Sequence, residues 1–165
     1  MLKKETNQIL VAEFEQTSYI RLIGRITFKY APDFRQFILE QFDKNQHGVL
    51  IDFSDCETID STFIGIITSL TLKSKKENRK FIKILNVNEH IKRILKTLGL
   101  INILDIVDEK LNNIKYNNLP ISSAGKIEIA NLVLDAHETL SELNEKNVLE
   151  FKNVVTYLKK QISEQ

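Results

Sequence analysis

Residues 49–65, Val-Leu-Ile-Asp-Phe-Ser-Asp-Cys-Glu-Thr-Ile-Asp-Ser-Thr-Phe-Ile-Gly, constrain the chain more than any other stretch. Val49, Leu50 and Ile51 form an apolar run that reads as a buried strand, extended by Phe53. A short polar loop is expected next. Asp60, Ser61 and Thr62 then stand directly before Phe63, Ile66, Ile67 and Leu70, whose i, i+3, i+4, i+7 spacing makes one helical face. A strand therefore delivers the chain to a polar tip, and the tip opens a helix. Asp and Ser suit the N-cap, because their side-chain oxygens accept from the helix's unpaired first N–H groups. A hydroxyl here lies beside those groups and the positive end of the helix dipole, a distinctive setting for a phosphorylatable Thr62.

The flanking segments alternate. Ile9 to Phe14 and Ser18 to Ile26 read as two strands of a hairpin, and Tyr19-Ile20-Arg21-Leu22-Ile23 is rich in strand-forming residues. Gly24 marks a bulge or a close backbone approach. Pro32 suits the first turn of a helix carrying Phe34, Phe37, Ile38 and Phe42, with a stop at Asn45 to Gly48. After the central unit, Phe81 to Leu85 is a third strand. Asn88 is a plausible N-cap for a helix with the stripe Ile91, Ile94, Leu95 and Leu98, which Gly99 terminates. Leu100 to Val107 closes the run as a short strand. This order predicts an α/β fold, a mixed sheet flanked by helices.

Residues 1–110 form that domain, 111–121 an Asn-rich linker with Pro120, and 122–165 an extension of different character. Ile129, Val133, Ala136, Leu140 and Leu143 make one heptad-like seam; Val148, Phe151, Val155, Leu158 and Ile162 make another. The phase jumps between them. Asn147 with Glu150 resembles a capping box. The reading is an α-helical hairpin turning near Asn144 to Asn147, with one long helix carrying a phase slip as the alternative. Helices this short need a surface to pack on, either the preceding domain or a second copy in a homodimer.

Composition narrows the function classes. The 165 residues suffice for one domain with an appendage, and the net charge of +1 argues against nucleic acid as the main partner. No apolar run approaches the roughly 20 residues of a membrane span. The Met1 to Thr6 stretch lacks a signal-peptide core. A single cysteine, Cys56, rules out an internal disulfide, so a cytoplasmic setting is expected.

Asp52, Asp55 and Asp60 read either as turn and cap residues or as a Mg²⁺-binding or acid–base cluster. His47, His90 and His137 lie far apart and off metal-ligand spacing with Cys56, so no metal site, cofactor or catalytic residue is expected. Lys73, Lys75, Lys76, Arg79 and Lys80 read as a solvated helix end, with a nucleic-acid or acidic-lipid contact as the alternative.

Asp52, Phe53, Ser54, Ile59, Asp60, Ser61, Thr62, Ile64 and Gly65 follow in order a known signature, and the chain resembles the STAS-domain proteins, the anti-sigma-factor antagonists of bacteria. Leu95 to Leu100 resembles a later segment of the same family. Phe63 stands where the signature has Gly, and Arg25 and Thr27 replace two acids that often follow Gly24. The resemblance implies a STAS-like fold over about Ile9 to Val107, without the C-terminal hairpin. It implies a cytoplasmic regulator that binds an anti-sigma factor of the Ser/Thr kinase type and has no catalytic role of its own. It implies phosphorylation at Thr62, with Ser61 as the neighbouring alternative, and reset by a PP2C-type phosphatase. Asp60, Ser61, Thr62, Phe63 and Gly24 would then form the partner surface. The rival readings are a non-phosphorylated STAS subunit of a sensor or transporter assembly, and a carboxylate-based Mg-dependent enzyme.

Overall fold

A computed structural model of the chain describes residues 6–79 and 81–165. Lys80 of the basic run, and Met1 to Glu5 of the N-terminal stretch, lie outside the described residues. The first two strands, β1 (Gln8–Phe14) and β2 (Thr17–Ile26), pair antiparallel through a turn in which Glu15 and Gln16 both take positive φ. That is the turn whose twist matches a two-residue hairpin. A 3-10 turn (Phe28–Tyr30) leads into α1 (Ala31–Asp43), which carries Pro32 in its first turn and buries Phe34, Ile38 and Phe42. The chain then runs through β3 (Gly48–Ile59), α2 (Ser61–Lys76), β4 (Ile82–Leu85), α3 (Glu89–Thr97) and β5 (Ile106–Val107). The sheet order is β5-β4-β3-β2-β1-β6, with β2 to β5 parallel and β1 antiparallel to both neighbours. The mixed sheet flanked by helices is the fold that the alternation predicts. Asn88 caps α3 by accepting from the Ile91 N–H at 2.9 Å, and Gly99 ends that helix at φ +76°.

Two elements differ from the sequence reading. The expected polar loop after Phe53 is strand: β3 continues to Ile59, and Asp55, Cys56, Thr58 and Ile59 all pair with β2. Irregularities in register flank Ile23 and Gly24, at the place where the sequence reading has a bulge or a close backbone approach. Polar residues survive there because Arg21 reaches across to Asp55 (Nε–Oδ2 2.7 Å) while Cys56 and Ile59 turn inward. Within the Asn-rich segment, β6 (Asn117–Asn118) pairs with Leu10 and Val11 of β1.

The C-terminal residues form a helical hairpin, α4 (Lys126–Ser141) and α5 (Glu145–Ser163). Helix α4 lies across α2, and Ala136, Leu140 and Phe151 join the same apolar core as Ile64 and Ile67. Helix α2 is consequently buried on nearly every face: the predicted stripe Phe63, Ile66, Ile67 and Leu70 is buried, and so are Thr62, Ile64, Gly65 and Thr68. The seams pack much as spaced, except at the turn. Val148 is 48% exposed, and Asn147 takes the inward position. Its amide donates to the carbonyls of Leu98 (3.0 Å) and Leu140 (2.9 Å), and its own N–H is received by Asn144. Asn144, not Asn147, is thus the N-cap of α5. A buried amide that joins carbonyls at the ends of α3 and α4 takes the place of an apolar residue here.

Candidate functional site

The tip begins where β3 ends. Asp60 leaves the sheet in extended conformation and uses both carboxylate oxygens. Oδ1 accepts from the Phe63 N–H at 2.9 Å, capping α2, and Oδ2 accepts from the Phe28 N–H at 2.6 Å, tying down the segment after β2. Ser61 is the first helical residue and is half-buried; Thr62 follows and is only 4% exposed. One turn beyond Ser61, α4 crosses at Gly65. A Cβ there would collide with the backbone carbonyl of Ala136, so glycine is what lets the two helices come this close.

The crossing brings His137 to the tip. Its Nε2 lies 2.9 Å from Ser61 Oγ, and its Nδ1 lies 2.7 Å from the Val133 carbonyl oxygen. A carbonyl only accepts, so Nδ1 carries a hydrogen, and in the neutral ring Nε2 offers a lone pair. The Ser61 hydroxyl therefore donates to Nε2. The imidazole is 5% exposed and stands edge-on to Phe151, with ring centroids 5.2 Å apart. Beside this pair opens a cleft of about 400 Å³, walled by Ser61, His90, Arg93, Glu150 and Phe151 over a floor that includes Ile64. Thr62 does not line it.

The STAS domain pattern matches residues 8–113, well over half of the chain. The chain belongs to the STAS domain family. Two Thermotoga proteins named as anti-sigma factor antagonists are similar to this STAS chain. One, from Thermotoga neapolitana, is 29% identical over 50% of this chain and 75% of its own length; the other, from Thermotoga maritima, is 30% identical over 46% and 66%. Among solved structures, a Thermotoga maritima anti-sigma factor antagonist superposes with a TM-score of 0.54 at 19% identity, covering 61% of this chain and 86% of that one. SpoIIAA in its phosphorylated form, from Bacillus, superposes with a TM-score of 0.52 at 16% identity, covering 62% and 91%. These likenesses establish the STAS fold; the helical hairpin lies beyond the STAS match.

The remaining residues singled out from the sequence fall into distinct places on the STAS frame. Phe63, expected on the partner surface, is a core residue: it is fully buried against Phe34, with ring centroids 4.3 Å apart. Gly24 is also buried, and at φ +75° it packs against the Asn7 side chain, which bonds the Arg25 N–H at 2.8 Å. The three carboxylates have separate employments. Asp52 accepts from Ser54 (backbone N–H at 3.0 Å) and Asn86 (3.1 Å), Asp55 pairs with Arg21, and Asp60 is the cap. In the basic run, Arg79 lies over the rings of Phe42 and Phe81 at 4.3 and 4.7 Å and bonds the Gln46 carbonyl, so it is part of the packing.

Cys56 is 2% exposed, and burial pushes its thiol up to about 12. A thiol so far from ionising at neutral pH is a poor nucleophile. Native protein is therefore expected to leave Cys56 unmodified by a thiol-exchange reagent and to release it at the unfolding midpoint. Stoichiometric reaction before unfolding would show that the strand end opens locally.

His137, which the sequence reading weighed only as a metal ligand, is the residue that the fold unexpectedly brings to the tip. The available signal was a histidine next to Ala136 on the inward face of an amphipathic helix. Nothing in the sequence joins it to Ser61, 76 residues away.

Proposed function

We propose that this STAS protein is an anti-sigma factor antagonist acting in the cytoplasm. It binds an anti-sigma factor of the Ser/Thr kinase type, and phosphorylation of a hydroxyl at the α2 tip, Thr62 by the resemblance or its neighbour Ser61, ends the binding. A PP2C-type phosphatase resets the tip. The protein contributes the acceptor and the surface around it. The observation that carries this reading is the tip itself: Asp60 holds two hydroxyl residues at the start of α2, one of them opening onto a cleft. The names of the Thermotoga relatives, and the existence of SpoIIAA in unphosphorylated and phosphorylated forms, support it.

A phosphate adds roughly −1.5 to −2 charges at neutral pH, enough to spoil a surface matched to a neutral hydroxyl. The test is capture of full-length protein from its source cell with identification of what it retains. Wild type is expected to hold a kinase-type anti-sigma factor, and Ser61→Glu to weaken that complex at least about tenfold, near 1.4 kcal/mol. Thr62→Glu is expected to weaken it too, but with a loss of stability, because Thr62 is 4% exposed and a carboxylate there is desolvated. A stable complex indifferent to both substitutions would instead make the protein a constitutive subunit of a larger assembly.

A further inference from the structure

The two hydroxyls at the tip are in unlike situations. Thr62 is shielded, one turn from the place where α4 presses on α2. Ser61 faces the cleft, and its hydrogen already points at the bare Nε2 of His137. The hairpin that brings His137 is not a loosely held cover. Leu140 is 0% exposed and Ala136 1%, and Asn147 is bonded to Leu98 on the far side of the cleft. At 4% exposure Thr62 is closed to an approaching donor, whereas Ser61 lines the cleft with the hairpin in place.

We propose that Ser61 is the phosphoryl acceptor of this protein and that His137, carried by the C-terminal hairpin, is the base that takes its proton. The identity of the donor rests on the antagonist reading above: a nucleoside triphosphate held by the kinase partner. A Ser61 Oγ lone pair forms the bond to the terminal phosphorus as the bond to the bridging oxygen breaks, and the nucleoside diphosphate leaves with that electron pair. The hydroxyl proton passes to Nε2. The separation of 2.9 Å is within reach for such a transfer. The imidazolium that results still donates from Nδ1 to the Val133 carbonyl, so the ring need not turn. Its new Nε2–H can donate to the phosphate just formed. Arg93 and His90 on the cleft wall supply further donors, with Glu150 the opposing charge.

A hydrogen bond that only fastened the hairpin would survive replacement of the imidazole by another acceptor; a base would not. His137→Gln keeps an acceptor oxygen but cannot hold the proton. Full-length wild type, Ser61→Ala and His137→Gln are treated in parallel with two reagents, and the labelled residue is mapped by mass spectrometry. The first is source-cell extract with nucleoside triphosphate labelled in the terminal phosphate. The second is a fluorophosphonate, a kinase-free probe from which fluoride leaves as the Oγ–P bond forms and the proton goes to Nε2. Label is expected on Ser61 from both reagents, absent in Ser61→Ala and slowed roughly 100-fold in His137→Gln. In His137→Ala, which opens a hole beside Ser61, free imidazole is expected to restore labelling; this comparison decides if His137→Gln folds poorly. Phosphate mapped to Thr62, His137→Gln labelled at the wild-type rate, or no label from either reagent overturns the proposal. Ser61 labelled by the fluorophosphonate alone, in a His137-dependent way, upholds the Ser61–His137 assignment and removes the kinase reading.

Discussion

Replacing Phe63 by glycine, the residue that the family signature carries at this place, is expected to destabilise the chain by about 4–6 kcal/mol. Truncating a buried Phe costs about 3–5 kcal/mol, and glycine inside a helix adds about 1. Phe63 is fully buried, with the Phe34 ring 4.3 Å away as its main aromatic contact. The loss would consume much of the roughly 5–15 kcal/mol that holds a domain together. Urea denaturation of the variant beside wild type measures it. A change within about 1 kcal/mol would mean that the ring is dispensable to the core and that position 63 is free to serve a partner after all.

Gly65→Val should be the second most damaging change, for the opposite reason. The new Cβ would lie 2.8 Å from both the carbonyl carbon and the Cβ of Ala136, and closer still to its carbonyl oxygen. Backbone atoms of a packed helix cannot step aside as the end of a side chain can. Overpacking costs about 1–3 kcal/mol, and the upper end is expected here. The displaced α4 would carry His137 away from Ser61. Limited proteolysis should then cut within residues 122–165 at protease levels that leave wild type intact. An unchanged digestion pattern with unchanged stability would show that α4 approaches α2 less closely than this geometry has it.

Local rules carried most of the fold. Asn88 before a helical stripe, Pro32 in a first turn and Gly99 at a helix end each act within a few residues, and each acts as its chemistry predicts. What local rules miss is set by distant partners. The Ser54 to Thr58 stretch looks like a loop by composition, yet it is strand because β2 lies alongside and Arg21 neutralises Asp55. Asn147 looks like a cap, yet it is buried, with its amide bonded to carbonyls of two other segments. The site divides in the same way. The position of Asp60, Ser61 and Thr62 at a helix start follows from their order. Which hydroxyl meets the cleft, and that a histidine from α4 bonds that hydroxyl, depends on how the last two helices settle on α2.

The pairing of Asn117 and Asn118 with Leu10 and Val11, followed by the Leu119 N–H donating to the Ile9 carbonyl at 2.9 Å, bears on behaviour in a crowded solution. Without that short run, the outer side of β1 would present a row of unpaired amides and carbonyls to any similar strand that came by. Exposed edges of this kind recruit neighbouring molecules into continuous sheets. Two asparagines are poor strand formers, and for that reason they end the ladder and do not extend it. At the opposite border the sheet stops with β5, too short to template much pairing. The piece of chain that joins the sheet to the last two helices thereby also protects the molecule against self-aggregation.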